Sequence, residues 1–406
     1  MMCTDMSSNR ARYNYTWLAH LRSLNLTQED LQYLINITSF DDLDDDGGDE
    51  HHHHPMDNGC YNCGGAVKSY SLLFRAAHGY VSLFLCVFGA LANALNIAVL
   101  TRKDLAGSPI NRILCGLALA DLALMVEYTP FACYMYLTTA KKEEFSHVGA
   151  VYVLLHTYVS QVLHTTSIAL TLVLAMWRYV VVKLPNSMHA ICSDRRCSIA
   201  IKLSYLLPFI ICSPTFLVFE ILETKVVENG TVATLYHLGL STIARVNHEL
   251  LYMIHLWTYA VIIKLLPCLI LTVVTISLIN ALSEASERKA KRLPTQQQMA
   301  RIRNMKLKKR MDRTSRIMIA VLLLFLATEF PQGILGLLSG ILGRGFFQTC
   351  YSLFGELMDM LALLNASLNF VFYCCMSKQF RVAFGQLFKT QPSIMFKPNN
   401  ILETFV

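Results

Sequence analysis

The chain has 406 residues, 54% of them apolar and only 16% charged, whereas soluble domains carry about 25% charged residues. That composition excludes an ordinary soluble enzyme or binding domain and points to an integral membrane protein. The formal charge of +7 is unevenly spread: the first seventy residues are acidic, while Glu284 to Arg316 holds twelve Lys or Arg against three acids.

Long apolar stretches fall at about 70–100, 109–137, 147–182, 197–222, 248–282, 313–342 and 349–376, each long enough to cross a hydrocarbon core as a helix. The expected fold is therefore an all-α membrane protein, a seven-transmembrane helix bundle occupying residues 70–390. The basic segment between the fifth and sixth spans is expected on the cytoplasmic side, which puts the N-terminus outside. Sequons at Asn14, Asn25, Asn36 and Asn229 fall on the opposite side from the basic loops, consistent with glycosylation there. No cleavable leader is evident, so the first span is the expected insertion signal.

Residues 1–69 are polar and acidic, with Asp41-Asp42-Leu43-Asp44-Asp45-Asp46 followed by His51 to His54. Such a segment cannot bury a core and is expected to be a disordered, glycosylated extracellular tail. It either merely solvates or concentrates a cationic ligand at long range; no defined ligand spacing supports zinc. Cys60 and Cys63 precede the first span, and Cys133 and Cys350 lie at the outer ends of the second and seventh. A bridge from the tail to either is compatible with the sequence, which does not set the connectivity.

Within the spans, charged residues are expensive and become candidate functional groups. Asp121 lies well inside the second span, with Glu127 and Pro130 toward its outer end. Ser160, His164, Ser167 and Thr171 share one face of the third, which closes on Trp177-Arg178-Tyr179. Arg178 is either a snorkelling anchor or part of a switch. In the sixth span Glu329 stands near mid-membrane, two residues before Pro331, whose missing N–H leaves the Ala327 carbonyl without its partner and bends the helix. The seventh span carries Glu356 and Asp359 toward the outside, then Asn365 and Asn369.

Beyond it, Phe380, Phe384, Leu387 and Phe388 recur among Lys378, Arg381 and Lys389 over about 378–389, the pattern of an interfacial amphipathic helix. Lys306-Leu307-Lys308-Lys309-Arg310 suits anionic membrane lipids or a cytoplasmic protein contact, and no nucleic-acid partner is expected. Residues 391–406 form a cytoplasmic tail ending Glu403-Thr404-Phe405-Val406; Thr404 and Val406 fit a PDZ-domain ligand.

Gly89 and Asn93 in the first helix, Asp121 in the second, Arg178-Tyr179 closing the third, prolines in the fifth and sixth, and Asn369-X-X-X-Tyr373 in the seventh together resemble rhodopsin-like G-protein-coupled receptors. More narrowly, three stretches look like invertebrate, arthropod-type myosuppressin and FMRFamide-like neuropeptide receptors. These are Met176-Trp177-Arg178-Tyr179, Thr328-Glu329-Phe330-Pro331-Gln332-Gly333-Ile334-Leu335 and Asn369-Phe370-Val371-Phe372-Tyr373.

The resemblance implies a plasma-membrane receptor, not an enzyme, for a peptide ending in Arg-Phe-amide, with a heterotrimeric G protein and arrestin as partners. It implies that Glu356 and Asp359 capture the ligand's cation and Glu329 takes it at depth. Glu127, Tyr134, His164, Tyr259, Phe330 and Gln332 are the remaining candidate ligand contacts. It also implies an activation switch of Arg178, Tyr179, Asp312, Pro331 and Tyr373, with Asp312 as the candidate partner of Arg178. A sodium site or a water-filled polar network is implied at Asp121, Ser167, Asn365 and Asn369, and no other cofactor is expected.

One departure stands out. The usual cysteine at the outer end of helix three is absent, since none lies between Cys133 and Cys192, and the loop from Glu223 to Asn247 has none either. That loop must be held by packing or by hydrogen-bonded strands. The rival readings are a receptor for another peptide of the same superfamily, a ligand-gated channel with its N-terminus inside, and a retinal protein, which lacks its lysine in the last span.

Overall fold

Ser146, Ser193 and Ser241 each sit in extended backbone at the start of a long helix, and each side chain accepts a hydrogen bond from the amide three residues on. Such caps satisfy donors that the helix cannot. Pro109 opens another helix at its first turn, where its missing N–H costs nothing.

The computed structural model describes residues 66–138, 145–184, 192–228, 231–291, 297–343, 346–376 and 378–387; over 66–73, 75–76, 138, 226–228, 231–233, 247–248, 285–291, 297–319, 348–349, 372–376 and 378–379 it describes the backbone alone. In chain order, α1 is Ala66–Leu100, α2 Pro109–Ala132, α3 His147–Lys183 and α4 Asp194–Cys212. Strands β1 (Phe219–Glu228) and β2 (Thr231–Leu240) follow. Three successive segments, Thr242–Trp257, a π-helical stretch Thr258–Leu265 and Leu266–Lys291, make α5. Then come α6 (Gln297–Leu342), α7 (Gly355–Met376) and α8 (Lys378–Leu387).

Six of these helices are long and apolar enough to cross a membrane over their described residues, and α7 adds a 22-residue helix. Several boundaries differ from the sequence expectation. Phe219 to Leu222, expected to end the fourth span, are already strand. The sixth helix starts at Gln297 and runs 46 residues through Pro331 without a break in its helical assignment.

The cysteine-free outer loop is a β-hairpin, β1 and β2 pairing antiparallel from Phe219 opposite Leu240 to Glu228 opposite Thr231. Just before α3, Phe145 pairs with Tyr236 of β2 through two backbone bonds of 2.8 Å. Both alternatives left by the sequence are realised: hydrogen-bonded strands tie the loop to the outer end of α3, and Phe219 and Leu240 pack with Val218, Ala244, Tyr252 and Leu256. Cys350 is disulfide-bonded, its partner lying outside the described residues, whereas Cys133 retains its thiol.

Two contacts position the site. α5 and α6 approach closely because α6 presents glycine to α5: a Cβ on Gly336 would lie 3.1 Å from Ala260 Cβ, and one on Gly333 2.8 Å from Leu265. At the other end, Phe380 and Ala383 of α8 enter the apolar cluster of Val99, Ile113, Leu117, Leu170 and Leu174. Burial of that apolar face anchors α8 against α1 and α7 at about 25 cal/mol per Å².

Candidate functional site

The π-helical stretch of α5 contains Lys264. A wider turn re-aims the side chains that follow it and often marks a functional position. Lys264 is 1% exposed and Glu329 of α6 is fully buried. Their Nζ and Oε2 atoms lie 2.7 Å apart. His164 of α3 donates from Nε2 to the same Oε2 at 3.1 Å. One carboxylate oxygen thus joins three helices, while Glu329 Oε1 is buried without a hydrogen-bond partner among the described residues. The face of Tyr259 lies 5.5 Å from the Lys264 ammonium, a cation–π contact.

Above this trio opens a cavity of about 270 Å³. His164, Gln161 and Ser160 line it from α3, Tyr252, Tyr259 and Lys264 from α5, and Gln332 and Gly336 from α6. Phe219 of the hairpin, Phe347 and Tyr351 before α7, and Asp359 within α7 complete the wall. Phe347 stacks on Tyr351 with centroids 4.8 Å apart, and the Tyr351 side chain faces those of Tyr259 and Gln332. Asp359 is exposed to the cavity and makes no hydrogen bond or ion pair with the described residues. Among the described residues it is the cavity's unpaired carboxylate, and His156, Lys264 and His164 are the basic groups whose charge reaches it.

Of the expected ligand contacts, His164, Tyr259, Gln332 and Asp359 line one cavity. Phe330 does not: it is 48% exposed on the outside of the bundle, because it follows Glu329 by one helical step of 100° and turns away as Glu329 turns in. Glu329 is already engaged by Lys264 and His164, so a ligand cation would have to displace them. Glu127 instead accepts from His156 Nδ1 at 2.6 Å, and the His156 ring stacks on Phe131 with centroids 3.4 Å apart. Tyr134 packs against Phe145 and Tyr152, and neither Tyr134 nor Glu127 nor Glu356 lines the cavity. Lys264 escaped the sequence reading, although a signal was available: it is the single Lys, Arg, Asp or Glu between Leu250 and Ser283, and the rule that flagged Glu329 applies to it equally.

Deeper in the bundle, fully buried Asp121 accepts from Ser167 Oγ and from Asn369 Nδ2, both at 2.6 Å. Asn365, half-buried on the same helix as Asn369, has no hydrogen bond to Asp121. Asn93 ties α1 to α7 through Ala366 O at 3.1 Å. Only neutral donors face the Asp121 carboxylate among the described residues, so a sodium ion, held by the oxygens of Asp121 and Ser167, suits the charge of the site.

At the inner ends, Arg178 and Tyr179 are half-buried, and Lys183 Nζ meets Glu284 Oε2 at 3.0 Å. The side chains of Asp312 and Tyr373 lie outside the described residues, as do residues 1–65, Asn229, Thr404 and Val406.

Residues 80–391, more than half of the chain, match the serpentine type 7TM GPCR chemoreceptor Srw family. The chain belongs to this family of G-protein-coupled receptors. It is a multi-pass membrane receptor and not an enzyme. The receptor is similar to the G-protein coupled receptor dmsr-1 of Caenorhabditis elegans, at 29% identity over 78% of this chain and 68% of the relative. It is also similar to the sex peptide receptor of Drosophila melanogaster, at 27% identity over 77% of this chain and 72% of the relative. The FMRFamide receptor of Drosophila melanogaster is 23% identical over 78% of this chain and 55% of its own length.

Proposed function

We propose that the receptor binds an amidated Arg-Phe-type, myosuppressin-like neuropeptide in this cavity and passes binding to a heterotrimeric G protein by movement of α6. The observation that carries the reading is Asp359, a carboxylate unpaired among the described residues on the wall of a cavity rich in aromatic side chains. A ligand guanidinium gains a charge-assisted and bidentate partner there. The rings of Tyr252, Phe347 and Tyr351 suit a neighbouring phenylalanine. That the FMRFamide receptor is among the relatives supports the same ligand chemistry. Glu356, one turn before Asp359, is suited to earlier capture of the cation.

Activation is then a shift of population toward the form with α6 swung outward at its inner end, which the peptide must bind better than the closed form. Arrestin and a PDZ-domain protein at Thr404 and Val406 are proposed further partners, and sodium at Asp121 a proposed ion. The sequons and the basic start of α6 support a plasma-membrane protein with its N-terminus outside. The test is the second-messenger response of cells expressing the receptor to Arg-Phe peptides in amidated and free-acid form. Nanomolar response to amides alone is expected; silence to every amide overturns the ligand assignment.

A further inference from the structure

We infer that Lys264, backed by Glu329, selects the uncharged C-terminus of the peptide by donating to its carbonyl oxygen. The inference rests on the peptide reading above and assigns the end of the ligand that Asp359 does not take.

An ammonium carries three N–H donors. Among the described residues Lys264 uses one hydrogen bond, to Glu329 at 2.7 Å, and lays its charge toward the Tyr259 ring. Yet it is 1% exposed and lines the cavity. A buried donor without an acceptor is costly, and an oxygen brought by a ligand relieves that cost.

The charge balance decides which oxygen. Glu329 offsets Lys264, and His164 donates to the same carboxylate from its ring. The Lys264–Glu329 pair therefore presents a donor but no surplus positive charge. A free-acid terminus arriving there would leave a net negative charge in a buried site, which is expensive. A carboxamide offers an equivalent acceptor oxygen and no charge. Because Asp359 and Lys264 line one cavity from α7 and α5, a cationic residue next to a neutral terminus engages both walls. An isolated lysine would favour the acid; a lysine already neutralised favours the amide.

The experiment compares three forms of one Arg-Phe peptide on the wild-type receptor: amide, methyl ester and free acid. The ester keeps the neutral acceptor but has no terminal N–H. It is expected within about tenfold of the amide in potency, with the acid weaker by about a hundredfold or more. An ester as weak as the acid overturns the inference, because the amide N–H would then be the group recognised.

Glu329→Gln removes the offsetting charge. In receptor that reaches the cell surface, the amide-to-acid potency ratio is expected to narrow by about tenfold, and the double variant Lys264→Gln with Glu329→Gln to restore it. An unchanged ratio in Glu329→Gln overturns the inference. If that variant fails to reach the surface, the ester comparison on wild type decides alone. Wild-type receptor that answers no amide removes the peptide reading itself, an outcome distinct from a response to amides without the expected discrimination.

Discussion

Lys264 of α5 and Glu329 of α6 meet at 2.7 Å in the interior of the bundle, with both side chains 1% exposed. A buried pair adds little net stability over a well-packed apolar pair, but removing one partner strands the other charge, at about 3–5 kcal/mol. Lys264→Met is therefore expected to lower the melting temperature of detergent-solubilised receptor sharply. Lys264→Met combined with Glu329→Leu recovers most of the loss. A single variant as stable as wild type would show that the pair is not buried in the folded receptor.

Asp359 is a separate case, since among the described residues it has no ion partner to strand. Asp359→Asn keeps the shape and removes the charge, so surface abundance should hold while amide-peptide potency falls. A hydrogen bond to a charged group contributes about 1.5–3 kcal/mol, which corresponds to roughly a tenfold to hundredfold rightward shift in the concentration–response curve. Unchanged potency with normal surface abundance would remove Asp359 from the ligand site.

The close approach of α5 and α6 depends on the absence of a side chain at Gly336, whose added Cβ would sit 3.1 Å from Ala260. Gly336→Val is expected to force the helices apart and destabilise the receptor by about 1–3 kcal/mol. Ala260→Gly in the same chain returns part of it, as a thermal-shift measurement on the purified single and double variants would record. No recovery would mean that the strain falls elsewhere.

Asp121 accepts from Ser167 and Asn369 and faces no described cation. If sodium occupies this site and favours the inactive form, raising sodium tenfold at constant ionic strength lowers agonist affinity in wild type. In Asp121→Asn the dependence disappears. A flat response in wild type would assign the site to a polar network alone.

The hairpin makes a further prediction. Phe145 and Tyr236 exchange two backbone bonds of 2.8 Å, in the position where a disulfide would otherwise tie the loop. Phe145→Pro deletes the donor of one of them, a loss of about 0.5–1.5 kcal/mol. Hydrogen exchange at Tyr236 and its neighbours in β2 is expected to accelerate severalfold, with the amides of α3 beyond its first turn unaffected. Equal protection in both receptors would mean that packing, and not the strand pairing, holds the loop.

Much of this receptor was determined by the sequence itself. Helix number and approximate place follow from apolar length, because every backbone polar group in a bilayer must be satisfied within its own helix. The amphipathic helix after the seventh follows from the spacing of Phe380 and Phe384, and the cost of charge in hydrocarbon singles out Asp121 and Glu329. The missing cysteine likewise required the outer loop to be held by packing or by hydrogen-bonded strands, without choosing between them.

Only tertiary structure decided which charges meet. Lys264 and Glu329 are 65 residues apart in the chain, and nothing local to either states that glycines on α6 let the two helices approach, or that a π-helical stretch carries the ammonium toward the carboxylate. That pairing turned Glu329 from an expected ligand contact into a neutralised partner and left Asp359 as the open acid. Side-chain direction is set by helix rotation and packing against neighbours, which spacing along one helix does not contain.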